Sequence, residues 1–231
     1  MRGVYNDSMS QTDNSAQAVF DKWLIHARAW LLGLAQKDPV YFEVLDALEF
    51  GRQHHTGVRN DGAPEYMHQL GIFRTLSTLH LQIANPAMVY KLIFLHDSVE
   101  DPNQQTKKFV APDEIRHNFG DLVEHKVLLL SKEILGQKNA DYDLSVIFAD
   151  QDTSVAKLGD RENNISTMVG PFKRARLIRY VTETRNEFIP GAQRARRLFP
   201  FQIGVYNNLQ FSIENQLRLV DKILEGYVPH E

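Results

Sequence analysis

Apolar residues recur at three- and four-residue spacing along almost the whole chain, and this periodicity decides the fold class before anything else is considered. Val19, Phe20, Trp23, Leu24, Ala27, Trp30, Leu31 and Leu34 form a first stripe. Tyr41, Val44, Leu45 and Leu48 form a second, behind an Asp38-Pro39 pair that suits a helix start. Further helical patterns cover about 66–82, 87–100, 112–136, 142–168, 171–189 and 204–227, with a Gly-, Asn-, Asp- and Pro-marked loop near 56–66. Period-two alternation is missing apart from a weak strand candidate at 146–148. The expectation is an all-α, single-domain helical bundle over residues 16–231. An extra N-terminal helix is expected at about 16–36, sealed by Trp23 and Trp30, behind a polar, disordered segment at 1–15.

Charge and composition exclude several function classes. A net charge of −3 gives no electrostatic footprint for nucleic acid or an anionic membrane. The basic cluster Arg194, Arg196 and Arg197 reads as a solvated helix face. Without cysteine the chain has no disulfide, thiolate nucleophile or thiolate zinc site. The N-terminus lacks the apolar run of a secretory signal and no window approaches a membrane span, so a soluble, cytoplasmic protein is expected.

One segment breaks the pattern of apolar faces. Leu92, Ile93, Phe94 and Leu95 suggest a stretch buried on every side, yet His96, Asp97, Glu100 and Asp101 follow at once and Pro102 ends the run. Read as a helix, the spacing sets His96 beside Glu100 and Asp97 beside Asp101. Carboxylates at a helix C-terminus meet the negative end of its dipole, and a buried unpaired one costs several kcal/mol. Exposure to water or a neighbouring Lys or Arg would answer the cost, and so would a metal ion.

Two more polar islands favour the ion. Asp160 and Asn164 share a face of a helix otherwise patterned by Val155, Leu158, Ile165 and Met168, and His68 opens a helix straight after the loop. His68, His96, Asp97 and Asp160 together make an N/O donor set for a borderline-hard divalent ion with open positions for water.

The order of these islands resembles the HD superfamily of metal-dependent phosphohydrolases, and within it the RelA/SpoT-type alarmone hydrolase domains and small alarmone hydrolases. Their "R…GEPYxxHP", "LLHDxxED", "KLADRxHNMRTL" and "ETxxxYxP" segments find counterparts in Arg59 through "NDGAPEYM" to His68, "FLHDSVED" at 94–101, "KLGDRENNISTM" at 157–168 and "ETRNEFIP" at 183–190. The resemblance covers about 40–227, with departures at Gln69, Gly159, Asn163 and Phe188. It implies a single Mn²⁺ held by His68, His96, Asp97 and Asp160, with Glu100 and Asp101 activating the attacking water. It implies a guanine contact for Arg59, ribose and phosphate contacts for Asn164 and Thr167, and a pocket position for Thr184. Lys157 or Arg161 balances the diphosphate charge, and the sequence does not choose between them. His54, His55, His80, His117 and His125 are read as packing or surface residues.

The implied function is (p)ppGpp 3′-pyrophosphohydrolase, releasing GDP or GTP and pyrophosphate, without a synthetase domain. Two alternatives stay open. One is a phosphohydrolase for another nucleotide, such as NADPH or a nucleoside phosphate; the other is a non-catalytic nucleotide-binding or toxin-neutralising relative. The expected partner is a small nucleotide rather than nucleic acid or membrane, and self-association into a homo-oligomer is left open.

Overall fold

The computed structural model describes residues 6–59 and 62–226. The fold is an all-α bundle, as the periodicity predicts, with one two-stranded hairpin among the described residues. The chain packs as two compact units, Met1–Arg74 with Tyr90–Tyr142, and Thr75–Val89 with Asp143–Glu231.

The first unit contains α1 (Asn6–Ala35), α2 (Val40–His54), α3 (Met67–Ser77) as far as Arg74, α4 (Pro86–Leu95) from Tyr90 on, α5 (Pro112–Phe119), α6 (Asp121–Leu130), β1 (Glu133–Ile134) and β2 (Gln137–Lys138). The boundary expected at residue 16 falls inside α1, and residues 1–5 lie outside the described ones. α1 packs on α2, burying Leu24, Ala27 and Leu31 from one helix and Tyr41, Val44 and Leu48 from the other. Trp30 meets Phe73 and Tyr90 edge-on, with ring centroids at 5.6 and 5.8 Å, and Trp23 lies beneath the Arg74 guanidinium. The tryptophans therefore seal α1 as expected.

Leu92, Ile93, Phe94 and Leu95 are at most 1% exposed, so α4 is enclosed on every side here. Its end differs from the reading above: the helix stops at Leu95, not near residue 100. Ser98 N–H bonds to Leu95 O and Glu100 N–H to Asp97 O, three residues back in each case, so the chain tightens into successive turns. The helix expected over 112–136 also breaks. Gly120 (φ +88°) separates α5 from α6, and Leu135 (φ +52°) and Gly136 (φ +77°) turn the β1–β2 hairpin with both central residues left-handed.

The second unit contains a 3₁₀ turn (His80–Gln82), α7 (Leu144–Ile147), α8 (Gln151–Thr167), α9 (Arg174–Glu183), a π turn (Thr184–Phe188), α10 (Ile189–Leu198), a 3₁₀ turn (Pro200–Gln202) and α11 (Ile203–Glu225). The weak strand candidate at 146–148 is instead the end of α7 and the turn behind it. The helix expected over 142–168 is two helices because aspartates cap both starts. Asp143 accepts from Ser145 N, and Asp150 accepts from the amides of Asp152 and Thr153. α8 packs against α10 and α11. Buried Glu162 accepts from Ser212 Oγ (2.6 Å) and Gln216 Nε2 (2.8 Å), and Ser154 and Tyr206 share a hydrogen bond of 2.8 Å. Among the described residues no helix is long and apolar enough to cross a membrane.

Close packing beneath α4 is directly testable. A Cβ on Gly51 would stand 2.2 Å from Phe94 O and 2.9 Å from Tyr66 Oη, whereas one on Gly33 meets nothing within 4 Å. Gly51→Ala is expected to destabilise by about 1–3 kcal/mol or more. Gly33→Ala, in an open helical position, should stabilise by about 0.5–1 kcal/mol. Urea denaturation of both variants measures the contrast.

Candidate metal centre

The loop between α2 and α3 is a closed structure that delivers His68. Glu65 takes the Gly57 amide on its carboxylate (3.1 Å) and returns its own N–H to Gly57 O (2.8 Å). The His55 imidazole faces Glu65 at 3.8 Å and holds its carboxyl below the usual range, against the opposing effect of burial. His55 also stacks on Tyr66, at 6.0 Å between centroids. Arg59 lies half-buried in this loop with its N–H on Ala63 O (2.8 Å). The loop then enters α3 at Met67, which places His68 in the first turn, 8% exposed.

The turn after α4 delivers the other first-unit donors. Nδ1 of His96 bonds to Ile93 O at 2.9 Å, which fixes the ring and turns Nε2 toward Asp97 Oδ1, 3.1 Å away. Asp97 Oδ2 lies 4.0 Å from His68 Nε2 and accepts from Gln69 Nε2 at 3.1 Å. The two imidazole centroids stand 5.6 Å apart. The turn is held from behind by the hairpin segment: Ser131 Oγ donates to His96 O (3.3 Å), Leu135 N–H to Val99 O (2.9 Å), and Lys132 N–H to the Glu100 carboxylate. Glu100 is thus anchored by a backbone amide. Asp101, at the surface rim, has its carboxyl pushed up to about 6, first by partial burial and then by the negative charge of Asp97. His54, which sequence reading left to packing, donates from Nε2 to Asp101 O (2.8 Å).

In the second unit, α8 presents Lys157, Asp160 and Asn164 along one side, as their spacing predicts. Asp160 takes Asn164 Nδ2 on Oδ1 at 2.5 Å and has Lys157 Nζ 3.5 Å from Oδ2. Thr167 closes the helix, its hydroxyl on Asn163 O (3.1 Å). Arg161 points elsewhere. It is 2% exposed, sandwiched between Tyr180 (3.9 Å) and Phe188 (3.6 Å), and bonded to Glu183 and Thr184. Thr184 in turn donates its hydroxyl to Tyr180 O (2.7 Å). The π turn makes the sandwich possible. On an uninterrupted α-helix, eight residues advance about 80° beyond two full turns; absorbing one residue brings Phe188 to within about 20° of Tyr180. Pro190 follows, lacking an N–H and clashing with the carbonyl four residues back, which favours a widened turn there.

His68 and His96 of the first unit and Asp160 of the second are donors that could hold a metal ion. These are two imidazoles and a carboxylate, with Asp97 against both rings, a set that could hold one divalent ion of the harder first-row kind. The supporting contacts fit such use: His96 has its second nitrogen on a backbone carbonyl, and both aspartates are oriented by side-chain amides. Sequence reasoning singled out these residues and named Gln69 only as a departure from the family pattern; it did not reach the Gln69–Asp97 bond, the His55–Glu65 pair or the inward course of Arg161.

Known family models give no match to the chain. Among curated proteins it is similar to GTP pyrophosphokinase rsh of Brucella melitensis biotype 1, 28% identical over 151 residues, or 62% of this chain and 19% of the relative. The proteins of the same name from Brucella ovis and Brucella abortus match with the same identity and coverage. The chain spans about a fifth of the length of these curated relatives.

Removing a donor should unload the site. His96→Ala and Asp160→Ala are each expected to weaken Mn²⁺ binding by more than about 100-fold, read by titration calorimetry. A second expectation concerns Asp101 without metal. A carboxyl whose folded pKa exceeds the usual 3.8 contributes stability below that value and loses it as pH rises through about 6. Asp101→Asn should therefore raise the metal-free Tm at pH 7 and leave it nearly unchanged at pH 4, as thermal melts at the two pH values will show.

Proposed function

We propose that this chain is a metal-dependent hydrolase related to the RelA/SpoT enzymes, removing the 3′-pyrophosphate from (p)ppGpp to leave GDP or GTP. The observation that carries the reading is the gathering of His68, His96 and Asp97 in the first unit, the carboxylate standing against both imidazoles, with Asp160 on α8 as a further donor. The similarity to the Brucella proteins, named for pyrophosphate transfer to GTP, supports the substrate class.

His68, His96, Asp97 and Asp160 would hold the ion, with Mn²⁺ the expected metal. Such an ion, when bound, acidifies water and offsets negative charge growing on the phosphoryl oxygens. Asp101, with a carboxyl titrating near neutrality, takes the proton from the attacking water, and Glu100, anchored by the Lys132 amide, orients that water. The water oxygen bonds to the phosphorus next to ribose O3′, the P–O3′ bond breaks to free pyrophosphate, and the proton taken up by Asp101 passes to O3′, which leaves as the hydroxyl. Arg59, Lys157, Asn164 and Thr167 supply substrate contacts on this reading.

A second reading keeps the chemistry and changes the nucleotide. It is favoured by one observation: Arg161 and Thr184, candidates for substrate contact, already bond to each other inside the second unit.

Incubation of the purified chain with ppGpp and Mn²⁺ is expected to release pyrophosphate, and EDTA to stop it. Glu100→Gln should lower kcat by about 10²–10⁴-fold while Mn²⁺ affinity stays within twofold of the parent. Pyrophosphate release only from a competing nucleotide in a panel selects the second reading; no release from any nucleotide rejects both.

A further inference from the structure

Gln69 is 2% exposed on the first turn of α3, next to His68. Its Nε2 donates to Asp97 Oδ2 at 3.1 Å, while its Oε1 is buried and accepts no hydrogen bond among the described residues. An ionised carboxylate only accepts, so the amide must present nitrogen to Asp97 and cannot turn round. A buried unpaired acceptor costs about 1–3 kcal/mol. The amide tolerates that cost in order to keep an N–H on a charged oxygen, a bond roughly twice as strong as a neutral one. The same Asp97 Oδ2 is the oxygen 4.0 Å from His68 Nε2, and Oδ1 is the one 3.1 Å from His96 Nε2. The Gln69 amide thereby helps hold the plane of the carboxylate so that one oxygen faces each imidazole.

We propose that Gln69 is a positioning residue of the metal centre, holding the Asp97 carboxylate in the rotation that receives the ion and so setting metal affinity. The inference rests on the metal-dependent reading above, but its test does not need turnover. The same structure supplies a contrasting amide: Gln202 is 0% exposed and wholly structural, bonded to Ala84 N, Gln151 O and Tyr206 Oη in the second unit.

The probe is Mn²⁺ alone, titrated into the full chain by calorimetry, alongside metal-free melting curves. Gln69→Met removes the donor and the unpaired acceptor at similar volume. It is expected to weaken Mn²⁺ binding by about 10–100-fold while the metal-free Tm is unchanged or raised. Gln69→Asn keeps the amide but is one methylene too short, and should weaken binding likewise if the methionine variant folds poorly. Gln202→Met should lower the metal-free Tm and leave Mn²⁺ affinity within twofold. Parent-like affinity in the Gln69 variants overturns the proposal, as does a loss that Gln202→Met reproduces at matched Tm. Failure of the parent chain itself to bind Mn²⁺ defeats the metal reading instead, so the two failures are distinguishable.

Discussion

The Asp97 carboxylate ties the end of α4 to the start of α3 within the first unit. One of its oxygens stands against His96 and the other between His68 and Gln69, so residues from the end of α4 and the start of α3 are registered through a single planar group. Negative charge placed this close to Asp101 is also what helps push the latter's carboxyl upward. Imidazoles and acids stand close together at the end of an apolar helix, donors of the kind that could hold a divalent cation.

Rigid backing is the second requirement, because a donor held loosely by even about 1 Å loses much of its use. The turn after α4 has little regular structure of its own. It is braced by Ser131, Lys132 and Leu135 from the segment around the hairpin, and Val110 N–H adds a bond to Ser98 O (3.2 Å). Leu135 sits at a positive φ that a leucine seldom adopts, and its amide bond to Val99 O is one of the contacts that fix it there. The loop before α3 is braced in a comparable way by Glu65, which closes on Gly57 and faces His55.

Helical periodicity made the all-α class legible because helices such as α2, α10 and α11 have one side buried and one side wet. It failed where a local backbone device interrupts a run whose apolar spacing carries on. Gly120, the Leu135–Gly136 turn and the capping aspartates Asp143 and Asp150 divide segments that the spacing alone reads as continuous. The expected i,i+4 pairing of His96 with Glu100 failed for the same reason, since the helix ends one residue before His96. His68, His96 and Asp160, which could hold a metal ion, nonetheless stood out in the sequence, because a polar residue on an otherwise apolar stripe needs a partner wherever the helix stops. Gln69 was not legible: a glutamine has no sequence signature that tells a buried orienting amide from an exposed one. A cation beside a candidate ligand suggests an anion contact for Arg161, and only tertiary packing shows the aromatic rings around it.

The π turn between α9 and α10 carries a lesson about economy of chain. Gripping a planar cation from both sides ordinarily takes two separate segments that must find each other during folding. Here a single surplus residue rephases one continuous rod, so that both jaws of the vice come from the same local stretch. Were the same residues to run as a regular α-helix, with none absorbed in a widened turn, one jaw would swing about a quarter of the way round the axis, opening the grip on Arg161 without removing any side chain that forms it.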